Sequence, residues 1–73
     1  SEIFLPDFSY PPSIDDIDRL QSFVTMLETH QACVDLEVAA SDLIQLSIEL
    51  ATDGYIHESS KIYELGRSAT DQA

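Results

Sequence analysis

All three prolines of the chain, Pro6, Pro11 and Pro12, fall within its first twelve residues, and from Ser13 to Asp53 there is neither proline nor glycine. That division sets what each part can fold into. Proline fixes φ, lacks an amide hydrogen and pushes the residue before it into extended conformations. Residues 1–12 are therefore expected to form an extended arm, and the breaker-free stretch is open to helix.

The apolar pattern beyond the arm has the helical period. Ile14, Ile17, Leu20, Val24 and Leu27 recur at spacings of three and four, as on one face of a helix. Ser13 is placed to cap its start, with Asp16 three residues on as a shorter stand-in for the glutamate of a capping box. Asp15, Asp16 and Asp18 sit where the helix dipole favours negative charge. A first helix is predicted over residues 13–30.

From Leu36 the apolar residues Leu36, Ala39, Ala40, Leu43, Ile44, Leu46, Ile48, Leu50 and Ala51 cover about half of the helix circumference at about 100° per residue. An arc that wide predicts a central helix, residues 35–53, packed on two sides. Asp35 is its candidate N-cap and Gly54 its candidate left-handed C-terminal residue. The intervening Gln31-Ala-Cys-Val34 contains no glycine or proline, so either the turn is tight or the first helix runs on. Tyr55, Ser59, Ile62, Tyr63, Leu65 and Ala69 predict a third helix over 56–68, weakened by about 1 kcal/mol at Gly66 relative to alanine. Residues 68–73 are expected to fray.

The expected fold class is all-α: a small helical hairpin or three-helix bundle, residues 13–73 forming one domain, with an extended proline- and aromatic-rich N-terminal arm. The arm carries Phe4, Leu5, Phe8 and Tyr10. Fully burying one such side chain stabilises by roughly 1.5–3 kcal/mol, so the arm should dock. Two destinations stay open: the groove its own helices leave, or a second copy or another protein.

Charge narrows the function. Fourteen acidic residues face three basic ones, a net charge of −11, while the apolar fraction of 44% is that of a folded protein. Such a balance repels nucleic acid and anionic membrane and favours a basic protein as partner. Arg19, Lys61 and Arg67 are the only Lys or Arg residues, so residues 20–60 have none. On the second helix Asp35, Asp42, Glu49 and Asp53 fall within about 40° of one another on a helical wheel, a stripe about 27 Å long. Solvated helices usually mix signs in i,i+4 pairs. The stripe is read either as a solubilising face or as a surface for a cationic partner.

Chemistry finds little purchase. His30 and Cys33 form a His-x-x-Cys pair and His57 precedes Glu58, but these spacings match no metal motif, and no metal or other cofactor is expected. With Gly54 and Gly66 as its only glycines the chain has no phosphate loop. A domain of this size also has little room for a substrate pocket, so no catalytic residues are assigned and an enzyme is not expected. Length, acidity and helical pattern are similar to acyl carrier proteins, whose modified serine lies in Asp-Ser-Leu at a helix start. Here the order is Ser41-Asp42-Leu43, inside the predicted helix, so the resemblance stops at bulk composition.

Cys33 is the only cysteine, which points to a reducing compartment. No stretch approaches the roughly 20 apolar residues of a membrane span. Glu2 and Asp7 with no Lys or Arg at the N-terminus do not resemble a secretory signal. A cytoplasmic location is the expectation.

The expected function is that of a non-catalytic binding protein, an inhibitor or nucleic-acid mimic of the anti-defence or antitoxin kind, whose acidic helical face engages a basic, nucleic-acid-binding protein. Asp35, Asp42, Glu49 and Asp53 would supply attraction, with Asp15, Asp16 and Asp18 as a second acidic cluster and Phe8, Tyr10 and Tyr55 as anchors. The alternative is a structural adaptor or chaperone-like module that pairs through its apolar face with a second copy of itself or with a partner helix.

Overall fold

A computed structural model describes residues 5–73. It is an all-helical bundle of α1 (Ile14–Thr29), α2 (Cys33–Thr52) and α3 (Ile56–Gln72), with residues 5–12 running as an irregular arm ahead of α1. Phe4, counted with the arm's apolar residues, lies outside the described residues.

The start of α1 is held by a complete capping box. Ser13 takes an extended conformation and its Oγ accepts from the Asp16 amide at 3.1 Å, while the Asp16 carboxylate accepts from the Ser13 amide at 2.9 Å. The aspartate thus performs the glutamate's part.

Helices α1 and α2 end in the same way. Gln31 sits at φ 53° and Gly54 at φ 89°. After α1 the amide of Gln31 donates to Glu28 O and that of Ala32 to Leu27 O, each at 3.0 Å. After α2, Gly54 donates to Ala51 O at 3.1 Å and Tyr55 to Leu50 O at 2.8 Å. These are paired Schellman closures, one with the glycine the geometry favours and one without. The tight turn is therefore the correct one of the two alternatives for residues 31–34. It also corrects the start of α2: the helix opens at Cys33, because the Ala32 carbonyl already accepts from Leu36 at 2.8 Å. Asp35 lies in the first turn as a charge favourable to the dipole, and α2 has no side-chain cap.

The core is built from Leu20, Val24 and Leu27 of α1, Leu36, Leu43, Leu46 and Leu50 of α2, and Ile62, Leu65 and Ala69 of α3. Leu5 and Phe8 pack against its edge and Pro12 is buried. The described part of the arm thus docks on its own bundle. The Tyr10–Pro11 peptide bond is cis.

The most extensive contact is between α2 and α3, and small residues permit it. A Cβ on Gly66 would stand 2.8 Å from Ile44 Cδ1 and 3.3 Å from the Ile44 amide nitrogen. Nearby, Ser59 Oγ donates to the Ser47 carbonyl at 2.7 Å and the buried Ser47 Oγ to Ile44 O at 2.6 Å. Because Ala69 is fully buried in the core, α3 continues to Gln72. Residues 68–72 are helix, not the expected frayed tail. Ile48, counted in the apolar arc of α2, points away from the core with 55% of its surface exposed.

Two stability outcomes follow from this geometry. A residue other than glycine in the left-handed region carries a backbone cost, so Gln31→Gly should raise stability by about 0.5–1 kcal/mol in urea denaturation; unchanged or lower stability would contradict the strain assigned to this turn. Helix propensity alone would have Gly66→Ala gain about 1 kcal/mol, but contact with Ile44 should cancel that gain. The same denaturation experiment should show Gly66→Val losing about 1–3 kcal/mol through overpacking.

Candidate functional site

The arm and α2 together build the region where most of the proposed contact residues meet. Leu5, Asp7 and Phe8 of the arm line a shallow hollow with Asp42, Gln45, Leu46 and Glu49 of α2. One turn further along, Tyr10 lines a second hollow with Ile48, Glu49, Thr52 and Asp53. The arm runs beside the acidic stripe, and Asp7, which the sequence did not single out, adds a carboxylate to it.

Tyr10 ties the end of the arm to the end of α2. Its hydroxyl donates to Asp53 Oδ2 at 2.5 Å, and its ring meets that of Tyr55 edge-on, with centroids 5.8 Å apart and planes at 86°. Asp53 is the C-cap of α2, where the dipole disfavours negative charge, and the Tyr10 phenol supplies it with a hydrogen-bond donor. The hydrogen bond to Asp53, then lost hydration, then the neighbouring charges push the Tyr10 phenol up to about 12. It therefore remains a donor throughout the physiological range. Both tyrosines keep part of their surface in water, so they form an accessible aromatic pair beside Glu49 and Asp53.

Asp42 and Glu49 are exposed on α2, and Asp35 is half-buried further up the same helix. Among the described residues none of these is in an ion pair; Arg19 with Asp16 is the ion pair present.

The α1 cluster divides. Asp15 is exposed in the first turn. Asp18 lies in a hollow with Ile14, Ile17 and, from α3, His57 and Lys61, where a cation shares the surface. Asp16, proposed as a contact residue, is 6% exposed and fully engaged. It accepts from Ser9 Oγ at 2.7 Å, from the Ser9 amide at 3.1 Å and from the Ser13 amide at 2.9 Å, and it pairs with Arg19. Arg19 also donates to the Asp7 carbonyl at 3.3 Å. Asp16 is thus corrected from a surface charge to the group that fastens the arm to α1. A local pattern cannot show this, because the donors on Ser9 arrive only when the arm folds back.

These donors hold the Asp16 carboxyl well below the usual carboxylate range, the Ser9 hydroxyl contributing most and the Ser13 and Ser9 amides next, against the opposing effect of burial. A carboxyl with a depressed folded-state pKa contributes stability that is complete above its unfolded pKa and is lost as pH falls toward the folded value. The stability difference between the parent and Asp16→Asn should accordingly be constant above about pH 4 and shrink below it. A difference that does not change with pH would sever the arm's attachment from the charge.

His30 caps α1 at its C-terminal end and Cys33 opens α2; both are exposed. Among the described residues no group of three His, Cys, Asp or Glu side chains is arranged to hold a metal ion, and no helix is long and apolar enough to cross a membrane. No family model matches the chain, and no curated protein or solved structure shows significant similarity to it.

Proposed function

We propose that this chain is a non-catalytic binding protein whose acidic α2 face engages a basic protein, with inhibition of a nucleic-acid-binding partner as its role. The observation that carries the reading is the unanswered charge of α2: Asp35, Glu37, Asp42 and Glu49, with Asp53 at the cap, on a segment without Lys or Arg. Like charges at this density oppose folding of the free chain, and a bound cationic partner would relieve that repulsion. Asp42, Glu49 and Asp53 border hollows lined by Phe8 and Tyr10, which supports a division of labour. Carboxylates speed encounter, and aromatic side chains supply close-range affinity.

Such attraction is screened by salt over about 8 Å at physiological ionic strength. The immobilised chain should retain a nucleic-acid-binding protein that elutes at moderate salt, and adding the free chain should displace nucleic acid from that protein. Asp42→Lys with Glu49→Lys, both at exposed positions, should abolish retention and inhibition. Retention indifferent to salt and to this reversal would remove the proposal.

A further inference from the structure

The face of α2 turned away from the core is an uncharged seam. Val34, Val38, Ser41, Gln45, Ile48 and Thr52 follow one another at spacings of four, three, four, three and four, the heptad spacing of a helix that pairs with another helix. Val34, Val38 and Ile48 expose 71%, 37% and 55% of their surface. On a chain with net charge −11, a row of six neutral positions three of which are β-branched aliphatics is not how a solubilising face is built.

The charges flank the seam in the matching register. With Val34, Ser41 and Ile48 as one seam position of the heptad, Asp35, Asp42 and Glu49 all fall at the next one, and Glu37 lies on the opposite flank. These flanking positions select partners in helix pairing. The arm adds a wall on that side, since Leu5, Asp7 and Phe8 share a hollow with Asp42, Gln45 and Glu49.

We infer that this seam docks an amphipathic helix of the basic partner, with an aliphatic stripe against Val34, Val38 and Ile48 and Lys or Arg flanking it opposite Asp42 and Glu49. The inference rests on the acidic-face reading and specifies how that face is used. Charge argues against a second copy as the occupant, because α2 carries no cation to meet the acids of its twin.

The test titrates the full chain with a synthetic amphipathic helix bearing a leucine seam and lysine flanks, with its scrambled isomer and a glutamate-flanked version as controls. The lysine-flanked helix should bind at least about tenfold tighter than its scrambled isomer, and the glutamate-flanked one should not bind. Val38→Asp with Ile48→Asp should weaken binding about tenfold or more even though it adds negative charge, with helicity checked by circular dichroism. Val34→Asp, in the first turn where a carboxylate suits the dipole, repeats the readout with little demand on folding. If these variants bind as tightly as the parent or more tightly, α2 is only an electrostatic attractor and the docking inference is overturned while the acidic-face reading stands. If Asp42→Lys with Glu49→Lys and added salt also leave binding unchanged, both fail. A parent that sediments as a dimer and a Val38→Asp, Ile48→Asp variant that sediments as a monomer would assign the seam to a second copy and overturn the inference.

Discussion

One carboxylate organises the N-terminal third of this molecule. Asp16 is nearly excluded from solvent, and a buried charge is tolerated only when it is paired and hydrogen-bonded. Its partners come from three places at once: the Ser13 cap, Ser9 in the arm and Arg19 one turn on. The requirement that starts α1 is thus also the requirement that folds the arm back. With the arm's direction set there, Phe8 reaches the edge of the core and Tyr10 reaches Asp53 at the far end of α2. The arm is fastened by two carboxylates at the adjacent residues Ser9 and Tyr10, and by the apolar contacts of Leu5 and Phe8 ahead of them.

The helices were legible where side chains state their own geometry. Ser13 and Asp16 mark the start of α1, Gly54 marks the end of α2, and the three-and-four spacing marks the buried face of α1 from Leu20 onward, while Ile14, first in that series, is left 78% exposed. Where the backbone acts without a characteristic side chain, the sequence is silent. Gln31 adopts the left-handed conformation only because Ala32 and Leu27 close the turn. The first residues of α2 follow from that closure, not from Asp35. The end of α3 is set at a distance, by Ala69 packing into the core.

The candidate site divides along the same line. Asp42 and Glu49 lie on the outside of α2 as the helical wheel places them, because a single long helix is faithful to its period. Asp16 could not be read as internal, since the donors that bury it lie seven residues earlier and meet it only in the folded chain. Ile48 looked like core because the arc of apolar residues on α2 is wide. Packing uses only part of that arc: α3 approaches so closely at Gly66 that it fills one side, and Ile48 is left outside.

The distribution of the few cations has a consequence for motion in solution. Arg19 lies on α1, and Lys61 and Arg67 on α3, while α2 has no basic residue. The centre of negative charge is therefore displaced from the centre of mass toward α2, giving the molecule a permanent moment in addition to its net charge. Near a cationic surface the field exerts a torque as well as a pull. The tumbling molecule spends more of its approach with α2 leading, so orientation is biased before any two side chains touch.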